Sequence, residues 1–511
     1  MVRTRFAPSP TGKMHIGGVR TALFAWLFAH KNKGEFFLRI EDTDQQRFDP
    51  EGLEAIIESL KWIGINWDEG VIDKNGKEKG DFGPYIQSKR LDIYKKYTNE
   101  LIEKGIAYYC FCSPERLEDL RKEQEKNKQA PMYDRACLKL SSEEAKKKIE
   151  DGQPFVIRFK MPDKKYILED IVYGKIEFDG KLIDDPVLLK SDGYPTYHFA
   201  HIVDDYLMKT THIVRGEEWI ASAPKHLALF EAFGWEAPQY AHLPVILGSD
   251  KKKLSKRHGS TKVSDFQEQG YLPEAIINYI AFLGWNPKTE QEIFSKEELI
   301  ENFDLSKVNK AAPIFSYEKL DWFNGQYIKK MDLEELAERC APFIENQKTK
   351  ACPELIRGIK NLPAGRQCQK FIEKISDKEY IKKIVSIERE RIKKLSDITE
   401  NIDFFLFDKI DYSAEKLIWK KSNKEETIKN LETIQDILSE IPENDWTKEN
   451  LEAKITPKAE KAGKGNMLWP MRYALTGADK SPTPFEVAWV LGKDKSIERI
   501  GEGIQKLKIL L

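Results

Sequence analysis

Cysteine is scarce in this chain: six occur in 511 residues, at positions 110, 112, 137, 340, 352 and 368. So few thiols over such a length exclude a disulfide framework and predict reduced cysteines in a cytosolic protein. No run of 18 apolar residues occurs, so no membrane-spanning helix is expected. The start, Met1-Val2-Arg3-Thr4, leads straight into strand-like sequence, which predicts no signal or transit peptide. Net charge is nearly absent, a formal −1, although 33% of the residues are charged. A nucleic-acid partner must therefore be judged from where the basic residues sit, since their total says nothing. Internal repeats and long low-complexity tracts are missing too, and the length accommodates three or four domains.

What is present is concentrated in two places. Thr4-Arg5-Phe6-Ala7 reads as a short strand and runs into Pro8-Ser9-Pro10-Thr11-Gly12-Lys13-Met14-His15-Ile16-Gly17-Gly18. Val19, Ala22, Leu23, Trp26, Leu27 and His30 then recur at helical spacing and predict an amphipathic helix. A strand, a Pro/Gly loop and a helix start form a phosphate site: the glycines admit the ligand, and the first amides and the helix dipole favour an anion. His15 stands where it can donate to a phosphate oxygen. Far downstream, Lys251-Lys252-Lys253-Leu254-Ser255-Lys256-Arg257-His258-Gly259 follows Leu243 to Gly248, which reads as a buried strand ending in a turn. A basic loop after a parallel strand suits the neutralisation of a triphosphate.

Together these motifs resemble class I aminoacyl-tRNA synthetases. His15-Ile16-Gly17-Gly18 is similar to their HIGH signature and Lys253-Leu254-Ser255-Lys256-Arg257 to their KMSKS loop. Arg5 to Gly12, Arg39-Ile40-Glu41-Asp42-Thr43-Asp44, Arg215-Gly216-Glu217-Glu218-Trp219 and Gly465 to Arg472 narrow the resemblance to the bacterial glutamyl type, from residue 3 to about residue 492.

The order of elements predicts an α/β fold: a doubly wound Rossmann-type catalytic domain in two halves, residues 1–85 and 201–250, interrupted by an inserted α+β domain over 86–200. The resemblance implies that this insertion grips the acceptor end of tRNA. Residues 251–331 carry the basic loop and helical sequence that the resemblance implies contacts the tRNA stem. From 332 to 511 the pattern is helical and Lys/Glu-rich, as over 381–395 and 425–441. The resemblance makes this an all-α anticodon-binding region of two subdomains, with a boundary near 408. Asn361 to Gln367 reads as an exposed loop or small insertion.

The implied reaction joins glutamate to the α-phosphate of ATP, releases pyrophosphate, and passes the glutamyl group to tRNA(Glu) with release of AMP. A close variant also charges tRNA(Gln). Mg²⁺ is expected with ATP on phosphate oxygens and water. A monomer without membrane contact is expected. By resemblance, His15, Lys253 and Lys256 are catalytic. His15, Gly17, Gly18, Glu218, Trp219, Lys253, Ser255 and Lys256 bind ATP. Arg5, Ser9, Glu41, Tyr197, His201 and Arg215 bind glutamate, with His201 standing where many relatives carry Asn. Glutamate needs an acid for its amine and arginines for its carboxylates, and Arg215 disfavours the neutral amide of glutamine. Cys110, Cys112 and Cys137 resemble a zinc knuckle, but Lys139 takes the place of a histidine. Three thiolates leave tetrahedral zinc incomplete, so zinc is not expected. A non-catalytic paralogue is disfavoured because His15, Glu41 and Lys256 are all present. A small-molecule adenylyl transferase would not need the helical half.

Overall fold

The structure, a computed structural model, describes residues 1–347, 366–400, 402–420 and 422–510, without the side chains of Lys256, Arg366 and Gln367. Of the loop expected at 361–367, residues 361–365 lie outside the described residues, and Arg366 and Gln367 begin the helix Arg366–Ser376 instead. Two compact units form: 1–268 with 273–323, and 269–272 with 324–511.

In the first unit, β1 (Arg3–Phe6) pairs in parallel with β2 (Glu35–Leu38), which pairs in parallel with β3 (Glu69–Val71). The short β4 (Glu78–Lys79) closes this sheet antiparallel to β3. Helix α1 (Ile16–Lys31) connects β1 to β2, and α2 (Gly52–Ile63) connects β2 to β3. The sequence pattern predicts α1 to be amphipathic, yet it is buried on almost every side, including Phe24, Ala25 and Ala29. The sheet takes one face and a second layer takes the other: Phe24 meets Phe303 with ring centroids 5.1 Å apart.

A second sheet has the order β10 (His212–Gly216), β11 (Gln239–Leu243), β7 (Lys165–Asp170), β8 (Gly174–Asp179). The first three strands are parallel, and β8 returns antiparallel. The Thr211 amide donates to the Arg3 carbonyl at 2.9 Å, which ties the start of β10 to β1. A third, antiparallel sheet of β5 (Ala107–Cys110), β6 (Val156–Phe159) and β9 (Val187–Leu189) belongs to the insertion, with helices α3 (Leu91–Glu103), α4 (Pro114–Lys126) and α5 (Ser142–Glu150). Helices α6 (Tyr197–Leu207) and α7 (Ala223–Phe233) flank β10 in sequence. One expectation shifts: the strand expected at 243–248 ends at Leu243. Pro244 has no N–H to continue the ladder, so the chain leaves the sheet there and heads for the basic loop.

The second unit is helical, with no strand among its described residues. Its Lys/Glu-rich helices bury an apolar stripe, as Leu431, Ile434 and Leu438 do in Lys424–Glu440. Cys368, in the helix Arg366–Ser376, is disulfide-bonded. This corrects the expectation of six reduced thiols, because scarcity cannot say which two segments meet. Cys110, Cys112, Cys137 and Cys340 are free. Among the described residues no helix is long and apolar enough to cross a membrane.

Candidate active site

The first loop and the basic loop meet. His15 caps α1: its Nδ1 accepts the Gly17 amide at 3.2 Å. That bond leaves the ring proton on Nε2, and burial, with the Lys253 ammonium nearby, lowers the imidazole pKa and favours the neutral form. The Ile16 amide donates to the Thr261 carbonyl at 2.9 Å, and His15 bridges Lys262, just past the basic run. A cleft of about 360 Å³ opens between the two segments, lined by His15, Gly17, Gly18, Lys253 and Leu254. It shares Gly18, Thr21, Gly216 and Glu218 with a larger cavity of about 860 Å³. At this junction the Glu218 carboxylate lies against Gly216, so a side chain there would have to displace it.

The larger cavity lies past the carboxyl ends of β1, β2 and β10, where ligands of open parallel sheets bind. Arg5, Ser9, Glu41, Tyr197, Arg215 and Trp219 line it. Beneath them, Asp204 and Asp205 of α6 hold three buried arginines. Arg5 Nε reaches Asp205 at 3.1 Å, Arg39 Nη1 reaches the same carboxylate at 2.9 Å, and Arg90 Nε reaches Asp204 at 2.7 Å. Glu41 accepts from Arg39 Nη2 at 3.1 Å. Burial pushes its carboxyl up to about 7, against the pull of Arg39 and Arg5.

Arg215 differs from these arginines. It is 5% exposed, yet no described carboxylate lies within 4.0 Å of it. Its partners are uncharged: His242 Nε2 at 3.0 Å, His226 Nδ1 at 3.2 Å, the Tyr197 hydroxyl at 3.3 Å and the Trp219 carbonyl at 3.5 Å. A desolvated cation with no anion of its own, on the wall of a cavity, is a site for an anionic ligand.

The expected residues divide accordingly. Arg5 lines the cavity but is committed to Asp205. His201 does not line it: the ring stacks under Tyr197 at 4.6 Å, and Nδ1 bonds Asp205 at 3.2 Å. Burial lowers this imidazole to about 3, so it is neutral. The structure places it behind Tyr197, where it supports that ring. Trp219 lines only the larger cavity, packed on Tyr197 at 4.1 Å. Ser255 does not line the cleft, and its Oγ lies 3.2 Å from His258 Nδ1. The Lys256 side chain lies outside the description. Sequence reasoning missed Asp204, Asp205, His226 and His242. Adjacent aspartates following apolar residues of a helix (Ile202-Val203) were the one available signal, since a carboxylate on a buried face needs a cation.

The three expected thiols come together. The sulfurs of Cys110, Cys112 and Cys137 lie within 4.8 Å of one another. The Tyr133 hydroxyl stands among them, 3.3 Å from Cys110 and 3.4 Å from Cys112, and accepts the Cys137 amide at 3.0 Å. Lys139 is exposed and takes no part. The Tyr133 hydroxyl completes the group by hydrogen bonds, and burial keeps it a protonated phenol, which is a poor ligand for a structural cation. Elemental analysis of the purified full chain is expected to find well under one equivalent of zinc. A full equivalent would overturn the reading of a hydrogen-bonded thiol cluster.

A His-capped phosphate loop and a basic loop sharing one cleft over a parallel sheet are the architecture of a class I aminoacyl-tRNA synthetase. Residues 1–322 match the family described as tRNA synthetases class I (E and Q), catalytic domain, and residues 335–504 match an anticodon binding domain. The glutamate–tRNA ligase 2 of Thermoanaerobacter pseudethanolicus is 42% identical over 505 residues, with 98% of each chain covered. That of Clostridium botulinum (strain Hall) is 44% identical over 515 residues, covering 100% of this chain and 99% of the relative. A crystal structure of a glutamate tRNA ligase from Elizabethkingia meningosepticum, in complex with its amino acid, superposes with a TM-score of 0.85 at 38% identity and covers 99% of both chains. The chain belongs to the glutamate–tRNA ligase family of class I synthetases.

Proposed function

We propose that the chain ligates L-glutamate to tRNA(Glu) at the expense of ATP, through a glutamyl adenylate. The observation that carries this reading is Arg215, a buried guanidinium surrounded by uncharged partners on the cavity wall. The glutamate side-chain carboxylate would pair with Arg215, and its ammonium with Glu41. Its α-carboxylate would then point toward the junction at Gly18 and Gly216. There an α-carboxylate oxygen attacks the α-phosphorus and pyrophosphate leaves. The terminal ribose hydroxyl of tRNA attacks the resulting carbonyl, and AMP leaves. His15, through Nε2–H, and Lys253 stabilise phosphate charge as it builds; Lys256 is assigned to the same work by its place in the KMSKS-like loop. Mg²⁺ would neutralise the phosphates of ATP. That cation would be carried mainly on phosphate oxygens and water. The insertion is assigned to the acceptor end of tRNA and the helical unit to the anticodon, in a cytoplasmic enzyme.

Charging of separated glutamate and glutamine tRNAs tests the reading. Glutamylation of tRNA(Glu) with release of AMP is expected, and its absence with active tRNA would end the proposal. The glutamine tRNA reports whether specificity extends to it. A pH dependence follows from Glu41. The residue must be ionised to hold the ammonium, and burial places its carboxyl near 7. As pH falls through that value the carboxylate is protonated and the glutamate KM rises, by about tenfold between pH 8 and pH 6. Glu41→Gln should raise KM at every pH and flatten the profile; a wild-type KM independent of pH over that range would remove Glu41 from amine recognition.

A further inference from the structure

We infer that Asp170 and His242 are positioning residues that hold the Arg215 guanidinium in the one orientation able to receive an acidic side chain. The inference rests on the reading of Arg215 given above. Neither residue lines the cavity; both act through Arg215.

Three neighbouring strands supply the chain of contacts. Arg215 of β10 and His242 of β11 are register partners, and β11 is joined to β7 where Tyr240 pairs with Asp170. In a parallel sheet, register partners project from the same face, so the two side chains lie side by side. Asp170 is buried and its oxygens are fully used. Oδ1 accepts the amides of Val172 at 2.9 Å and Tyr173 at 2.8 Å, and Oδ2 accepts the His242 amide at 3.1 Å and His242 Nδ1 at 2.6 Å. A carboxylate with four donors aimed at it is an acceptor only. His242 must therefore carry its proton on Nδ1, which leaves the Nε2 lone pair facing Arg215 Nε at 3.0 Å. The other tautomer would set N–H against N–H at Arg215 and a lone pair against the Asp170 carboxylate.

The same logic continues on the other side. Arg215 Nη2 can only donate, so His226 Nδ1 accepts at 3.2 Å, and His226 Nε2–H donates to His198 Nδ1 at 3.1 Å. Burial, as the largest cause, lowers the pKa values of His242, His226 and His198, the last to about 4. Neutral rings hold the guanidinium by its edges without cancelling its charge. Asp170 orients the cation through an imidazole and makes no ion pair with it. A direct carboxylate, such as Asp205 gives Arg5, would occupy the position needed by the ligand. Asp170 and His242 therefore set the preference for an anionic over an amide side chain as well as the strength of binding.

The test uses the full chain with tRNA, ATP and either glutamate or glutamine. Asp170→Asn places an amide NH₂ among backbone donors, so the side chain turns, His242 changes tautomer and Arg215 loses its acceptor. Glutamate KM should rise by about tenfold or more, with kcat and the ATP KM changed less than about threefold. His242→Leu should do the same, while His242→Gln, whose amide oxygen can accept from Arg215 Nε, should recover most of the loss. In ¹⁵N-histidine-labelled protein, the His242 signal should report the Nδ1–H tautomer in the wild type and Nε2–H in Asp170→Asn. The inference is overturned if His242→Gln is as impaired as His242→Leu. It also fails if the ATP KM and kcat fall in step with the glutamate term, which is the signature of a general packing role. Should Asp170→Asn not fold, the two His242 variants decide. Arg215→Ala separates the two levels of argument: no change in glutamate KM there refutes the reading of Arg215 itself. A large change there, with none in the Asp170 and His242 variants, refutes only the positioning role.

Discussion

Arg215→Ala is expected to lower kcat/KM for glutamate by about 10²-fold or more, almost wholly through KM, with the ATP KM within about twofold of wild type. The size follows from the ligand left behind. Removing one partner of a buried, hydrogen-bonded charge pair costs about 2–5 kcal/mol, much of it for stranding the other charge. Other cations do not make up the deficit. Arg5 and Arg39 share Asp205, and Arg39 also holds Glu41. The variant also leaves His242 Nε2 and His226 Nδ1 without their donor, so part of the loss reflects disorder in the pocket wall. The ratio of glutamate to glutamine turnover separates these effects, because disorder alone weakens both substrates while loss of the cation removes the preference. An unchanged ratio would take Arg215 out of side-chain recognition.

His15→Asn is the second large effect, and it should fall on kcat. Asparagine is a good N-cap, so the start of α1 keeps a side-chain partner for the bond now made to the Gly17 amide, and the helix should hold. What disappears is the Nε2–H that reaches toward the phosphate side of the cleft. Loss of one preorganised donor to charge that builds in the transition state lowers rates by about 10²–10³-fold. Single-turnover transfer of glutamate to tRNA should slow by that order while glutamate KM stays close to wild type. A weakened ATP affinity with kcat unchanged would show that His15 serves ground-state binding only. The neutral state of the ring bears on this result: burial and the Lys253 ammonium both oppose protonation, so the donor is available without a second positive charge beside Lys253.

The parts of the site that are legible in sequence are those confined to one segment. Pro8 to Gly18 announces a strand, a loop and a helix start by composition, and the helix forms where the apolar spacing begins. Glu41 and Arg215 are flagged by the words around them. The reading fails where the outcome depends on which segments become neighbours. Nothing local to Arg5 says that Asp205 will bind it, or that His201, four residues before that aspartate on the same helix, will turn beneath Tyr197. Nothing local to Tyr133 says that its hydroxyl will meet the sulfurs of Cys110 and Cys112, more than twenty residues earlier. The displaced strand is a local error of a different kind: the apolar run Leu243 to Leu247 looks continuous, and the missing amide of Pro244 ends it.

By itself, the amino-acid sequence determined the class of chemistry, because phosphate cradles, basic loops and helix starts are built from residues within a few positions of one another. It also determined the helical character of the second unit, through charge-rich segments with an apolar stripe. Only the tertiary structure decided which cations are free to meet a ligand. A guanidinium is a binding group or a structural one according to what lies within hydrogen-bonding distance, and for Arg5 and Arg215 that was settled by helix α6 in one case and by the register of β10, β11 and β7 in the other.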